Sequence, residues 1–275
     1  MLGVFDSGFG GLTILKDLAK ALPNYDFVYL GDNARAPYGN RSFDSIYRYS
    51  LQAVNYLFSI GCPLVILACN TASAKALRTI QQKDLQKIAP SNRVLGIIRP
   101  LAEEIGKFTK TGCVGILGTE GTIASQSYLL EIAKFWPDLH IEQEACPMLV
   151  PLVENALLEH SATEIFVREY TQKILAKNPN IDTLVLGCTH YPLLQGLFLK
   201  VLPKNIKIVS QGGIIAQKTL EYLANHPEID ARISKKNGKN GEIRFLTTDS
   251  AEFFERGAKA FWNTKIKAES ILLYS

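Results

Sequence analysis

Leu64-Val65-Ile66-Leu67-Ala68-Cys69-Asn70-Thr71 and Thr183-Leu184-Val185-Leu186-Gly187-Cys188-Thr189-His190 are the two stretches that decide the fold. Each opens on an apolar run without polar alternation, the pattern of a central parallel strand covered on both faces. Each run passes through one small residue to a cysteine, then to residues bearing hydroxyl or amide groups. The two cysteines lie 119 positions apart (188 − 69). A second pair precedes them in the same order. Gly3-Val4-Phe5-Asp6-Ser7-Gly8 and Gly115-Ile116-Leu117-Gly118-Thr119 each run from a strand into a small polar loop, with starts 112 positions apart (115 − 3). The chain therefore reads as a repeated α/β unit.

The remaining pattern supports that reading. Strands are expected at Leu2–Phe5, Phe27–Leu30, Leu64–Ala68, Val94–Ile98, Cys113–Leu117, Ile141–Ala145, Thr183–Leu186, Ile206–Val209 and Ile243–Leu246. Amphipathic stretches lie between most of them, at Leu12–Leu22, Ser42–Ile60, Thr122–Phe135 and Thr163–Ala176. Alternation of this kind implies parallel sheets with helices on both faces. We expect two α/β domains related by pseudo-symmetry, with a cleft between them. Residues 1–96 plus 209–275 carry Cys69, and residues 97–208 carry Cys188.

Length and composition fit this plan. The chain has 275 residues, enough for two domains of ordinary size. Hydrophobic residues make up 47% and charged residues 20%, which suits a globular core. The net charge of +4 is too small and scattered to imply nucleic acid. Lys235-Lys236-Asn237-Gly238-Lys239 reads as a solvated turn. No apolar run reaches membrane-spanning length, and the N-terminus lacks a signal-peptide pattern, so a cytoplasmic protein is expected. The five cysteines are an odd number without a Cys-x-x-Cys, which argues against disulfide stapling, and the scattered histidines give a zinc site little support.

Cys69 and Cys188 both belong at the carboxyl edge of a sheet, where functional groups of open α/β folds collect. Cys62, Cys113 and Cys146 have apolar or proline neighbours and read as structural. A helix start after Cys69 would favour its thiolate. His190 follows Cys188 by two positions and is the residue type poised near neutral pH. Two thiols at equivalent edges suggest proton transfer at both faces of one carbon: one group removes the proton and the other returns it. Asn70, Thr71, Thr189 and the loop Asp6-Ser7-Gly8-Phe9-Gly10-Gly11 are placed to stabilise the charge that develops. That loop does not match G-x-G-x-x-G, because position 13 is Thr, and Asp6 would repel a pyrophosphate. Asp6 is better suited to a substrate ammonium or to the proton of Cys69.

Six ordered pieces resemble the glutamate racemases. They are Phe5-Asp6-Ser7-Gly8-Phe9-Gly10-Gly11-Leu12; Gly31-Asp32 with Ala36-Pro37-Tyr38-Gly39; Ala68-Cys69-Asn70-Thr71-Ala72-Ser73; Gly118-Thr119 with Gly121-Thr122; Pro151-Leu152-Val153-Glu154; and Gly187-Cys188-Thr189-His190-Tyr191-Pro192. The resemblance covers about residues 1–200, and more weakly Asp249-Ser250 and Phe253 to Phe261. It implies two flavodoxin-like domains, no pyridoxal phosphate and no metal. It also implies that Cys69 acts on D-glutamate and Cys188 on L-glutamate, in a bacterial enzyme that supplies peptidoglycan synthesis. Catalytic roles are implied for Cys69, Cys188, Asp6, His190 and Glu154. Substrate contacts are implied for Asp6, Ser7, Tyr38, Gly39, Asn70, Thr71, Thr119, Thr122, Thr189 and His190. A homodimer is among the expected assemblies.

Two places depart from the family pattern: Arg99 before Pro100, and the turn Ser210-Gln211-Gly212. The nearest alternative is an aspartate racemase, whose second motif usually carries Glu where this chain has His190. A non-catalytic amino-acid-binding protein is a further alternative, disfavoured by the presence of both thiols.

Overall fold

Parallel strand pairing organises this chain into two sheets. The computed structural model describes residues 1–262 and 264–273. The strands are β1 (Leu2–Asp6), β2 (Phe27–Gly31), β3 (Leu64–Leu67), β4 (Arg93–Gly96), β5 (Cys113–Gly118), β6 (His140–Ala145), β7 (Thr183–Leu186), β8 (Lys207–Val209), β9 (Ile243–Thr247) and β10 (Ala268–Ser270). The first sheet has the order β10-β9-β2-β1-β3-β4 and the second β6-β5-β7-β8. Every pairing within them is parallel.

The repeat read from the sequence is visible in that order. β2-β1-β3-β4 of the first sheet corresponds to β6-β5-β7-β8 of the second. β1 and β5 are central, and β3 and β7, which lead to the two cysteines, are their neighbours on the same side. β9 and β10 extend the first sheet beyond β2. The helix Gly212–Asn225 packs against the helix Leu12–Ala21.

Both faces of the central strands are apolar because both are covered. On one face of the first sheet, Leu2, Val4, Leu64 and Ile66 pack with Leu12, Leu15 and Leu18. On the other, Phe5, Val65 and Leu67 pack with Ile46, Val54 and Leu57 of the helix Phe43–Ser59. The second sheet repeats this. Leu117 and Leu184 meet Val167 and Ile174, while Val114, Ile116 and Val185 meet Leu101 and Ile132.

The structure corrects several local expectations. The expected strand Val94–Ile98 ends at Gly96, and Ile98 begins the helix Ile98–Glu104. The expected helix Thr122–Phe135 is two helices, Glu120–Ala124 and Ser127–Ile132. Between them Gln126 has φ 57°, in the left-handed region. Ser125 Oγ donates to the Thr122 carbonyl and accepts from Ser127 N–H, while Ser127 Oγ donates to the Ala74 carbonyl. These bonds favour a break over a continuous helix. β10 had no counterpart in the sequence reading. In the basic turn Asn237, Gly238 and Lys239 are exposed as expected, while Lys235 and Lys236 are half-buried and paired with Asp230 at 2.5 Å and Glu242 at 3.0 Å.

Leu184 is fully buried at the middle of β7, paired with Gly115 and Ile208. Leu184→Ala should cost about 2–5 kcal/mol of stability through lost burial and a residual cavity. Equilibrium urea unfolding checks this: the midpoint should fall while the slope stays unchanged.

Candidate active site

The two thiols leave their strands at carboxyl edges. Cys69 follows β3 and Ala68, and caps the helix Asn70–Lys75, with Sγ accepting from Ala72 N–H at 3.5 Å. Cys188 follows β7 and Gly187 and leads into the turn Tyr191–Leu194. Both are nearly fully buried, Cys69 at 6% exposure and Cys188 at 5%.

Each thiol has its own partners. Ser7 Oγ lies 3.5 Å from Cys69 Sγ. Asp6, expected as the proton partner of Cys69, acts on it through charge, and Ser7 makes the hydrogen bond. Asp6 Oδ1 accepts from Gly8 N–H at 2.8 Å, and Oδ2 accepts from Thr189 Oγ1 at 3.5 Å. On the other side, His190 Nδ1 lies 3.8 Å from Cys188 Sγ, and its Nε2 lies 3.0 Å from Glu154 Oε1. Glu154, the last residue of the helix Leu149–Glu154, therefore joins the site through His190.

Burial and charge set the protonation states. Burial raises the Asp6 carboxyl, against the lowering effects of His190 and of the Gly8 and Gly11 N–H groups. Burial, then the Asp6 charge, pushes the Cys69 thiol up to about 12, with Ser7 and Ala72 acting in the opposite sense. Burial alone would lower the His190 imidazolium. The hydrogen bonds and electrostatic attraction of Cys188 and Glu154 outweigh it and push His190 up to about 10.

The amide and hydroxyl residues form bridges between the two halves of the molecule. Thr71 Oγ1 lies 2.9 Å from Thr119 Oγ1 and 3.4 Å from Thr122 Oγ1, and the latter two are 3.0 Å apart. The Gly39 carbonyl accepts from Gly121 N–H at 2.8 Å. Tyr38 is buried, and its hydroxyl donates to Asp32. Asn70 Nδ2 donates to Tyr128 OH at 2.8 Å and to Gln211 Oε1 at 3.0 Å.

At Gly10 the loop after β1 comes close to the motif after β7. A Cβ there would lie 2.2 Å from Thr189 Oγ1 and 2.5 Å from His190 Nδ1. Only a glycine lets the loop after β1 reach the motif after β7. Thr13 reinforces the contact, donating to the Thr189 carbonyl at 3.0 Å. The sequence marked the loop as glycine-rich but gave no sign of which glycine mattered. It gave none for Tyr128 either. Gln211 was visible only as an unusual turn residue.

A cavity of about 50 Å³ borders Cys188, Thr189, Thr13 and Gln211, with room for a few waters. A larger groove of about 850 Å³ lies elsewhere, lined among others by Arg78, Gly96, Arg99 and Lys218. Of its cations, Arg78 pairs with Glu131, Arg99 with Glu103, and Lys218 with Glu104. Among the described residues no group of three His, Cys, Asp or Glu is placed to hold a metal ion. No helix among them is long and apolar enough to cross a membrane.

A sequence model of the Asp/Glu/hydantoin racemase family matches residues 10–218. A glutamate racemase of Persephonella marina is 41% identical over 259 residues, covering 93% of this chain and 90% of that protein. Among solved structures, a glutamate racemase isoform from Bacillus anthracis superposes with a TM-score of 0.89 at 33% identity, covering 99% of this chain and 97% of that one. The glutamate racemase of Francisella tularensis, solved in complex with D-glutamate, gives 0.86 at 32% identity, with coverage of 99% and 97%. Sequence and structure agree over nearly the whole length, and the chain belongs to the aspartate/glutamate racemase family.

Proposed function

We propose that this chain interconverts L- and D-glutamate without a bound cofactor, using Cys69 and Cys188 as acid and base on opposite faces of Cα. The observation that carries the mechanism is the placement of two thiols at equivalent edges of a repeated fold, each with a separate set of partners. Glutamate as substrate is supported by the relatives at 36–41% identity, all glutamate racemases. The cellular role that fits is supply of D-glutamate for peptidoglycan from the cytoplasm.

In this reading Cys188, as thiolate beside the His190 imidazolium, takes the α-proton of L-glutamate. Cys69, as thiol, delivers its own proton to the opposite face, and D-glutamate results. One proton leaves Cα and one arrives, so the thiols exchange protonation states. The reverse reaction uses Cys69 as base, with Ser7 donating to its sulfur. A cation beside a thiol is the arrangement that activates it, and Glu154 holds His190 in that role. The Asp6 carboxyl and Ser7 suit the substrate ammonium. The Thr71, Thr119 and Thr122 hydroxyls, with the backbone of Tyr38 and Gly39, suit the distal carboxylate. Asn70 and Thr189 stand beside the reacting centre.

The site groups are buried, so substrate must enter by separation of the two halves. We divide these as residues 1–96 with 209–275 and residues 97–208. Closing over substrate then excludes water from the carbanion-like centre.

Purified protein should racemise both glutamate enantiomers after exhaustive dialysis against chelator, followed by circular dichroism at the substrate band. In D₂O the product should carry one deuterium at Cα while unreacted substrate keeps its hydrogen. Cys69→Ser and Cys188→Ser should each lower racemisation by at least about 10³-fold, because an alcohol is a far weaker acid than a thiol near 8.5. Near-normal turnover in either variant would overturn the two-thiol reading.

The raised pKa of His190 fixes the sign of the pH dependence. The imidazolium persists until the pH nears about 10, whereas the stability it contributes is fully present below 6.5, declines above it and is lost as the pH passes about 10. Turnover should fall with the loss of imidazolium at the upper end of this window, and His190→Asn should remove that limb from the kcat profile.

Gly10→Ala should keep the fold but hold the loop off Thr189 and His190. We expect kcat/KM to fall by about 10²-fold, as misplacement of about 1 Å at such sites does. Far-ultraviolet circular dichroism should stay unchanged.

A further inference from the structure

Gln211 stands at the start of the helix Gly212–Asn225, where a short side chain usually caps the first free N–H groups. Its side chain makes no capping bond. It turns inward instead, and the residue is only 3% exposed. Gln211 Nε2 donates to the Leu186 carbonyl at 2.8 Å, and its Oε1 accepts from Asn70 Nδ2 at 3.0 Å. One side chain thus joins the strand end two residues before Cys188 to the residue immediately after Cys69.

The Leu186 carbonyl is available because β8 pairs with β7 no further than Val185. It can only accept, so the nitrogen of the Gln211 amide must face it. The Gln211 oxygen must then face Asn70, and Asn70 must present its nitrogen in turn. The second Asn70 N–H is taken by Tyr128 OH at 2.8 Å. Amide orientation, which is ordinarily ambiguous, is therefore dictated along the chain from one backbone carbonyl. Asn70 Oδ1 is left buried with no protein partner. A buried acceptor without a donor is unfavourable until a ligand supplies one.

We propose that Gln211 is a positioning residue, which fixes the Asn70 amide so that its carbonyl oxygen stays free to accept from the ammonium of the amino-acid substrate. This rests on the glutamate reading given above. Gln211 touches no reacting atom in this scheme. It couples the setting of Asn70, beside one thiol, to the backbone that carries the other.

Two substitutions in the full chain separate this role from simple packing. Gln211→Met keeps the length and removes both hydrogen bonds. KM for both enantiomers should rise about tenfold, the scale of one lost hydrogen bond to a charged group, while kcat changes less than about threefold. Gln211→Glu can mimic the amide only when protonated, with its O–H on Leu186 and its carbonyl on Asn70. The titratable groups around position 211 are Asp17, Tyr128 and Cys188. Burial and the negative charge available to Asp17 and Cys188 both raise a carboxyl placed there. KM of Gln211→Glu should therefore match that of the unsubstituted protein near about pH 6 and climb towards about pH 8 as the carboxyl ionises. A thermal melt at each pH verifies folding, and recovery of Gln211→Glu at low pH covers the case in which Gln211→Met does not fold. A KM for Gln211→Glu that tracks the unsubstituted protein at every pH, or a loss confined to kcat, would overturn the proposal alone. Absence of glutamate turnover in the unsubstituted protein would overturn the glutamate reading and this inference with it.

Discussion

The approach of the loop after β1 to the motif after β7 is the contact on which the site depends. At Gly10 the backbone lies so close to Thr189 and His190 that no side chain fits between them. That approach brings Asp6 to Thr189, beside the buried Cys188 and His190, with half-buried Glu154 on the far nitrogen of His190. Burying that many ionisable groups is unfavourable unless they compensate one another. The compensation is visible in the directions of the shifts. The imidazolium of His190 lowers Asp6 and is itself held by Cys188 and Glu154. Removing any one of these groups leaves the others with an unbalanced charge, so the site behaves as a unit.

The repeat fixes where the thiols are, and the departures from it fix what each thiol is. β3 and β7 occupy the same place in their sheets, so Cys69 and Cys188 emerge at equivalent edges. Around Cys69 the partners are a hydroxyl and a backbone N–H, with a carboxyl close by. Around Cys188 the partner is an imidazole backed by a carboxylate. The first set leaves a proton on sulfur, and the second supplies a cation beside it. The surroundings of the two thiols are thus unsymmetrical, and in the proposed mechanism a round of reaction exchanges the protonation states of Cys69 and Cys188.

Much of the fold was legible because a strand covered by helices on both faces must be apolar at every position, as Leu64–Leu67 and Leu184–Leu186 are. The ends of β3 and β7 were legible to within one residue, and with them the position of both cysteines. What stayed hidden depends on contacts between segments far apart in sequence. The break at Ser125–Gln126 is held by a serine bond to Ala74. β10 is three residues, Ala268–Ser270, too short for any period to show, and exists because it pairs with β9. The bond from Ser7 to Cys69 spans 62 positions, and that from Asn70 to Gln211 spans 141. No local pattern encodes a side-chain bond over such separations. The glycines of the loop were visible as a group, but the demand on Gly10 comes from Thr189 and His190, at the far end of the second half.

The chemistry of the contacts between the halves also bears on how the site can open. One apolar cluster runs from Leu12 and Ile14 of the first half to Leu186 and Leu194 of the second. Separating it would expose hydrocarbon to water at a substantial cost. Near the thiols the bridges are polar: Thr71 to Thr119, Asn70 to Tyr128, and the Gly39 carbonyl to Gly121. The rim adds Arg78 to Glu131, whose arginine is largely exposed. Polar bridges exchanged for water lose about 1 kcal/mol each on balance, and exposed ion pairs lose less. Under the proposed separation of the halves, the polar bridges are the contacts that cost least to break and the apolar cluster the one that costs most. Those bridges lie at Asn70, Thr71 and Thr119, the residues suited in the proposed function to hold a substrate by its polar ends. The contacts that yield when the site opens are then the ones a bound amino acid can replace when it closes.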